Sequence, residues 1–275
     1  MTSRWFNPTG GFGYHVRALL YGRRQWSPFR QEIARWLRAW APPERELLLV
    51  GPSGGYSLDP AFLGAFSRII AVDIDPLAAL VFRLRFGRLL RERGVALAWD
   101  SRDHLSPGPQ GFSLQPLRSL VAAHPEAAVL FCNLLGQLPL LGDDRLPDQS
   151  DDDPPEGSYE RWLLGLPAAL AGRSWATYHD RISGDGRPRS LPEGAPVPWS
   201  PSEDLVLHHF APAEDRVEKL ELLDHRTSVL LRDTPREQFS WEIAPGVFHL
   251  IEAFSFRSRA PAQALDDDRG TDAAT

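Results

Sequence analysis

The sequence has little of several features that mark whole classes of protein. Its 275 residues include a single cysteine, Cys132, so we expect neither a disulfide framework nor a thiol-rich metal site. It contains no apolar run long enough to span a bilayer, and its first residues, "MTSRWFNPTGG", lack the apolar core of a signal peptide. We therefore predict a cytoplasmic protein with no membrane partner.

Positive charge is also in deficit. The 36 acidic residues outnumber the 30 basic ones, which gives a formal net charge of −6, and Lys219 is the only lysine. Because no global basic field would attract phosphates, we expect no nucleic-acid partner. The hydrophobic fraction of 43% is that of an ordinary globular protein with a large core. The oligomeric state leaves no readable pattern in the sequence.

Short apolar runs alternate with amphipathic stretches from Glu46 onward, which is typical of parallel strands covered by helices on both faces. The runs that predict strands are "LLLV", "RIIAV", "VALAW", "AAVLFC" and "SWATYH". Near the end of the chain, "FSWEI", Pro245-Gly246 and "VFHLIEAFSF" predict an antiparallel hairpin. Before the first strand, the apolar spacing predicts a helix from Ser27 to Trp40.

These elements predict an α/β fold. We expect a doubly wound Rossmann-like sheet, mostly parallel, with an antiparallel C-terminal edge hairpin and an N-terminal helical cap. A single domain is expected over 1–258, with 1–45 as cap or lid and 46–258 as the α/β core. Residues 1–24 lack clean periodicity and are expected to be irregular. The acidic segment 143–153 predicts a solvated loop, 183–202 predicts a loop, 203–232 is ambiguous between helix and strand, and 259–275 predicts a disordered tail.

The stretch Gly51-Pro52-Ser53-Gly54-Gly55, directly after the first predicted strand, has two interpretations. It matches G-x-S-x-G, the nucleophile elbow of serine hydrolases, with Asp180 and His209 or His225 as nominal partners of Ser53. An elbow follows several earlier strands, however, and the residues before Glu46 predict coil and helix. The stretch also fits a glycine loop that receives a nucleotide-like cofactor at the end of a first parallel strand.

The ends of the predicted strands favour the glycine-loop interpretation. In an open parallel sheet, ligands bind in the crevice beyond the carboxyl ends of the strands. Each predicted strand ends in small or polar residues that can face a ligand, in chain order Gly51–Gly55, Asp73, Asp100-Ser101, Asn133 and His179-Asp180. The pattern therefore predicts one ligand crevice built by all five strand ends.

These motifs resemble the class I S-adenosylmethionine-dependent methyltransferases, over roughly residues 46–180 and the terminal hairpin. "LLLVGPSGGYS" is similar to the family's glycine loop, "IIAVDIDP" and "AWDS" to the acids that end its second and third strands, and "VLFCNLLGQLPLL" to its fourth-strand motif. The resemblance implies a seven-stranded sheet that finishes with an antiparallel strand. It also implies S-adenosylmethionine as cofactor and methyl transfer to a small-molecule or protein acceptor.

Residue chemistry and the resemblance together define a candidate site. Asp73 can accept hydrogen bonds from both ribose hydroxyls, and Asp100 can accept one from the adenine amino group. The expected cofactor-binding residues are Gly51, Ser53, Gly54, Gly55, Asp73, Asp100, Ser101 and Asn133. The expected acceptor-binding residues are Tyr14, Arg17, Gln137 and Asp180, and the candidate general bases are His179 and His15. No metal site is predicted.

Two positions depart from the family's pattern and support an alternative function. Leu49 stands where the family usually has an acid, and Ser53 stands where it has its second glycine. The alternative is a binding or scaffold protein that keeps the methyltransferase fold without the reaction. Intact Asp73 and Asp100 argue against it, because a purely structural descendant needs neither acid. Serine hydrolysis by Ser53 is the third possibility.

Overall fold

Strands and helices alternate along the chain in a computed structural model that describes residues 11–141, 154–185, 196–210 and 221–258. The strands are β1 Glu46–Val50, β2 Arg68–Val72, β3 Ala96–Asp100, β4 Ala127–Cys132, β5 Trp175–Asp185, β6 Pro196–Val197, β7 Leu222–Asp224, β8 Arg236–Ala244 and β9 Val247–Phe256. The α-helices are α1 Gly11–Tyr21, α2 Ser27–Trp40, α3 Pro60–Leu63, α4 Ala78–Glu92, α5 Gln115–Ala122, α6 Tyr159–Ala169 and α7 Ser202–Leu205. A 3₁₀ helix covers Leu135–Leu141, and a π-helical turn covers Val206–Phe210.

All the strands belong to one sheet, in the order β3-β2-β1-β4-β5-β9-β8-β6, with β7 paired to β5. Strands β3, β2, β1, β4 and β5 are parallel, whereas β9 runs antiparallel to both β5 and β8. The prediction of a mostly parallel sheet with an antiparallel C-terminal hairpin is confirmed. The two-residue strand β6 extends the same edge by pairing with β8.

The sheet buries a core on each of its faces. One core joins α2 and α4 to alternate residues of the strands, and the other joins α5 and α6 to the opposite residues. Strand β4 is buried along its whole length, as its unbroken apolar run predicts. Among the described residues, no helix combines the length and apolar character that crossing a membrane would require.

The N-terminal cap is anchored to the last strands of the sheet. Helix α2 has the predicted bounds, and it buries Phe29, Ile33, Trp36, Leu37 and Trp40. The indole N–H of Trp26 donates to the Ile243 carbonyl at 3.1 Å, and that of Trp40 donates to the Phe256 carbonyl at 2.9 Å. The cap is therefore fixed to β8 and β9 by directional hydrogen bonds as well as by apolar packing.

Three expectations for local structure were wrong. Residues 11–21 form helix α1 although they lack an apolar stripe, because the face that α1 buries consists of Gly11, His15 and Ala18. Strand β5 continues past His179 to Asp185, because β7 and β9 pair with the part of β5 that extends beyond β4. The predicted loop 183–202 therefore begins in a strand, and it also contains β6. The ambiguous region 203–232 holds both helical turns and strand β7, whereas 143–153 and 259–275 lie outside the described residues.

Two leucine-to-alanine substitutions in helices test how the cap is anchored. Leu37 in α2 is 0% exposed and Leu84 in α4 is 76% exposed. We expect Leu37→Ala to lower the free energy of unfolding by about 2–5 kcal/mol, because it removes buried methyl groups and leaves a cavity. Leu84→Ala should change it by less than about 0.5 kcal/mol. Urea unfolding measures both, and equal effects would contradict the docking of α2 on the sheet.

Candidate functional site

A cleft opens at the carboxyl ends of β1, β2 and β4, the place where parallel sheets bind ligands. Its walls come from the loops after these strands, from α1, from the 3₁₀ helix and from β5. The lining residues include Tyr14, Gly51, Ser53, Asp73, Ile74, Arg102, Asp103, Leu105, Asn133, Gln137 and Tyr178. The predicted crevice is thus present and contains part of the predicted site.

Asp73 joins the loops after β1 and β2. Its Oδ2 accepts from the Ser53 backbone N–H at 2.6 Å, and its Oδ1 accepts from the Asp75 N–H at 2.9 Å. Burial raises the pKa of Asp73 to about 6, although the two backbone donors favour the charged form. The carboxyl group therefore changes its charge within a physiological range of pH.

The glycine loop has left-handed backbone at two cleft-lining positions, Gly51 at φ 69° and Ser53 at φ 47°. An added Cβ on Gly54 would lie 2.7 Å from Cγ1 of Val81, and one on Gly55 would lie 2.6 Å from Cε2 of Phe86. Gly54 and Gly55 therefore let the loop pack closely against α4, and they do not line the cleft. Leu49 is fully buried in β1.

The Ser53 hydroxyl is buried and has no hydrogen-bond partner among the described residues. A nucleophile elbow requires a histidine within hydrogen-bond reach of that oxygen. Two of the nominal partners of Ser53 are engaged elsewhere. Asp180 bonds to Asn133 and His249. His225 bonds to Ser183 and to the Gly136 carbonyl. The described residues therefore form no triad around Ser53.

Asp100 is engaged within its own loop. Its carboxylate accepts from Arg102 Nη2 at 2.7 Å and contacts His104 Nε2 at 3.0 Å. The hydrogen bonds from the Arg102 side chain hold the pKa of Asp100 far below its usual range. Neither Asp100 nor Ser101 lines the cleft, whereas residues 102–106 do. The pairing of Asp100 with Arg102 could not be predicted from the sequence, because an arginine two residues after an aspartate in a loop does not fix the direction of either side chain.

Asn133, at the end of β4, lines the cleft in left-handed backbone conformation at φ 50°. Its Nδ2 donates to Asp180 Oδ2 at 3.2 Å, and its Oδ1 is buried without a partner among the described residues. Gln137 lines the same wall, from the 3₁₀ helix. Asp180 lies behind Asn133 and does not line the cleft.

Helix α1 covers one side of the cleft. Tyr14 lines it, and Nδ1 of the buried His15 lies 2.6 Å from the Tyr56 hydroxyl. His15 Nε2 lies 2.9 Å from Asp75 Oδ2, so both ring nitrogens are used for anchoring the helix. Arg17 points to solvent and does not line the cleft. His15 thus fixes α1 to the loop that also holds Asp73.

His179 lies on the face of β5 opposite to that of Tyr178, which lines the cleft. It is fully buried against Phe254. Burial, together with the charge of Arg236, lowers the pKa of His179 to about 3, so the ring is neutral near pH 7. Its Nδ1 lies 3.2 Å from the Thr177 hydroxyl, and it does not line the cleft. His179 belongs to the same buried region as Arg236 and Glu252, which form an ion pair at 3.0 Å.

Asp180, His225 and His249 form a second group of polar residues beside the cleft, which was not predicted from the sequence. His249 Nδ1 lies 2.7 Å from Asp180 Oδ1, and one ligand atom each of Asp180, His225 and His249 lie within 4.8 Å of one another. Burial raises the pKa of Asp180, but the interactions with His249, His225 and Asn133 together lower it below its ordinary value. No spacing rule could have revealed the group, because its members are far apart in the sequence.

Comparisons with known proteins give resemblances in structure alone. No protein-family model and no curated protein matches the chain. Magnesium protoporphyrin IX methyltransferase ChlM from Synechocystis PCC 6803, solved with bound SAM, is 13% identical, with a TM-score of 0.40, over 93% of this chain and 88% of that one. The N-methyltransferase NodS from Bradyrhizobium japonicum WM9 is 14% identical, with a TM-score of 0.41, over 84% and 98%. A SAM-dependent methyltransferase from Aquifex aeolicus is 12% identical, with a TM-score of 0.37, over 88% and 98%.

The order and directions of the strands define the class of fold. The parallel order β3-β2-β1-β4-β5 is followed by the antiparallel β9, which lies between β5 and β8. The sheet has the antiparallel final strand that the sequence resemblance implies, but with nine strands among the described residues it differs from the implied seven, because the short strands β6 and β7 are added to it. The chain has a Rossmann-like α/β fold with a mostly parallel sheet.

Asp73 should make the stability of the unliganded protein depend on pH. The pKa of its carboxyl is about 6 in the folded protein against an ordinary 3.8, so folding favours the protonated form. The free energy of unfolding should therefore fall as pH rises from about 4 to above 6, with a share of about 3 kcal/mol from Asp73. Urea unfolding across this range should show that Asp73→Asn lacks this share. An unchanged pH dependence in the variant would contradict the assignment.

Proposed function

We propose that the protein binds S-adenosylmethionine in the cleft and transfers its methyl group to a small-molecule or protein acceptor. The observation that carries the proposal is the Asp73 carboxylate, which faces the cleft at the end of β2 and is bonded to the loop after β1. In this class of fold, an acid at that place accepts hydrogen bonds from the ribose hydroxyls. The cytoplasmic location, the single-domain organisation and the lack of a nucleic-acid partner stay predictions from the sequence.

Asp73 has the capacity for this role. A carboxylate offers about four acceptor sites, and the backbone N–H groups of Ser53 and Asp75 occupy two of them. Two sites therefore remain for two ribose hydroxyls. The same backbone donors fix the orientation of the carboxylate before the ligand arrives, so little conformational freedom is lost on binding.

Two other polar atoms of the cleft-lining residues favour a polar ligand. Ser53 Oγ and Asn133 Oδ1 are both buried without hydrogen-bond partners among the described residues. A buried polar atom without a partner costs about 1–3 kcal/mol, which ligand donors would recover. Because Leu49 is buried in the strand, we assign the cofactor's amino-acid portion to Asn133 and the backbone of the glycine loop.

Asp100 was expected to contact the adenine of the cofactor, and we assign that role to the loop after β3 instead. Asp100 is held by Arg102 and His104, whereas Asp103 and Leu105 line the cleft. Ile74 lines it as well, so an adenine ring would have an apolar side chain from each of two loops. We assign the adenine pocket to Ile74 and the loop 102–106.

The chain's own contribution to the reaction is alignment. When bound, the cofactor supplies a methyl group on a positively charged sulfur. Tyr14, Gln137 and Tyr178 also line the cleft, and we assign to them the orientation of the acceptor atom toward that methyl group. Gly11 and Tyr14 of helix α1 also line the cleft, and a helix over the cleft favours a small acceptor over a folded protein surface.

The two candidate bases have other roles in this arrangement. His15 is bonded through both ring nitrogens to Tyr56 and Asp75, which makes it a positioning residue for α1. His179 lies on the opposite face of the sheet, neutral and away from the cleft. Neither histidine therefore acts as a general base in the proposed mechanism, which depends on alignment of the reacting atoms.

Binding of S-adenosylhomocysteine tests the proposal directly. We expect one molecule to bind per chain in isothermal titration, and we expect Asp73→Asn to weaken binding at least about tenfold, since it removes a charged acceptor of two hydrogen bonds. Asp59→Asn is the matched control. Asp59 caps α3 by accepting from the Ala61 N–H, does not line the cleft, and can be replaced by Asn as a cap.

Two outcomes would contradict the proposed function. If both Asp variants bind like the wild type, Asp73 has no part in ligand binding. If the folded wild type shows no binding at millimolar ligand, the cleft does not take this cofactor. The second outcome would favour the binding or scaffold protein, with Leu49 and Ser53 as its marks in the sequence.

The affinity for S-adenosylhomocysteine should also depend on pH. Only the charged form of Asp73 accepts two hydroxyl protons, and its pKa is about 6 in the folded protein. We therefore expect the affinity to fall about tenfold between pH 7.5 and pH 5, with most of the loss below pH 6. Titrations at several pH values should show a flat profile for Asp73→Asn. A wild-type profile without an inflection near the pKa would exclude this role.

A further inference from the structure

We propose that Asp180, His225 and His249 form a binding site for one divalent transition-metal ion such as Zn²⁺. One ligand atom from each residue lies within 4.8 Å of the others. Two imidazole nitrogens and a carboxylate oxygen are a donor set typical of first-row divalent metals, whereas Mg²⁺ and Ca²⁺ prefer oxygen ligands. The proposal goes beyond methyl transfer and does not rest on it.

The three side chains come from different parts of the sheet. Asp180 lies in β5, where the register with β9 shifts between Asp180 and Ile182. His249 lies in β9, opposite Ser183, and His225 directly follows β7, the strand that pairs with the far end of β5. Bulges of this kind redirect side chains and occur often beside functional sites. The site is thus built on paired strands, which hold ligand atoms firmly.

The hydrogen bonds of His225 prepare it to bind a metal. Its Nδ1 lies 2.6 Å from the Gly136 carbonyl, which can only accept, so Nδ1 carries the proton. In that tautomer Nε2 carries the lone pair, and it lies 2.9 Å from the Ser183 hydroxyl. Metal-binding histidines commonly donate their other N–H to a backbone carbonyl in this way. An added Cβ on Gly136 would lie 2.4 Å from the Asp180 carbonyl oxygen, so glycine is needed for this approach.

Asp180 is oriented by its neighbours and is available as an anionic ligand. The residue is 2% exposed, and its Oδ2 accepts from Asn133 Nδ2 while its Oδ1 faces His249. The adjacent Arg181 does not neutralise it, because the Arg181 guanidinium donates to Asp224 and to Ser202. A metal cation between His249 Nδ1 and Asp180 Oδ1 would be held by both side chains.

The site adjoins the end of the cleft that we assign to the acceptor. Asn133 and Gln137 line the cleft, and Gly136, which supports His225, lies between them in sequence. Three protein ligands leave at least one coordination position for water or for another ligand. No metal site was expected from the sequence, and the three residues share no spacing pattern that would have indicated one.

The proposal is tested by metal binding to the purified chain, after treatment with a chelator has removed any metal already bound. We expect one Zn²⁺ per chain in isothermal titration, and visible d–d absorption of low-coordinate Co²⁺ when Co²⁺ is added instead. His225→Ala and His249→Ala should each weaken binding more than about 100-fold, since loss of an outer-shell partner alone typically costs about 10–100-fold. His124→Ala is the matched control, because His124 lies before β4 at the opposite end of the strand.

Thermal unfolding with and without Zn²⁺ separates loss of binding from loss of folding. Zn²⁺ should raise the Tm of the wild type and of His124→Ala, and leave the Tm of the folded His225→Ala and His249→Ala variants unchanged. Equal Zn²⁺ binding by wild type and both site variants would overturn the proposal, as would no binding by the folded wild type. The S-adenosylhomocysteine titration, run on metal-free protein, reports on the proposed function independently.

Discussion

The hydrogen bond from the Ser53 N–H to the Asp73 carboxylate, 2.6 Å long, is the contact on which the geometry of the cleft depends. It ties the loop after β1 to the loop after β2, and the second oxygen of the same carboxylate holds the Asp75 N–H. Asp75 in turn contacts His15, which fixes α1 over the cleft. One buried carboxyl group therefore organises two loops and, through a single intermediate, the covering helix. Its raised pKa is the cost of removing that group from water.

The parts of the fold that could be predicted from the sequence are those that its local pattern determines. Strands β1, β2 and β4 are continuous apolar runs, and α2 has an apolar face with Pro28 in its first turn, so their positions are confirmed almost to the residue. Helix α1 was missed because it buries glycine, histidine and alanine, which leave no hydrophobic periodicity. The extension of β5 was missed because it depends on pairing with β7 and β9, which are distant in sequence.

The candidate site shows the same division. Strand ends can be read from sequence, and Gly51, Ser53, Asp73 and Asn133 all line the cleft. The direction in which a side chain turns after its strand cannot be read, and Asp100 turns to Arg102 and His104 instead. His225 and His249 lie next to Asp180 only because three strands pair, so no sequence motif indicates the group. Sequence reasoning thus locates the cleft but not the groups assembled behind it.

The hydrogen bonds of Trp26 and Trp40 have a consequence for the order of folding. Their acceptors are the carbonyls of Ile243 and Phe256, more than two hundred residues away in sequence. On the ribosome, where domains form as the chain emerges, the apolar face of α2 cannot pack against β8 and β9 until those strands, far downstream in the sequence, have been made. Non-local closure of this kind slows folding, and it leaves a tryptophan-rich surface exposed in the nascent chain. Helix α2 is therefore made well before the strands that complete its packing.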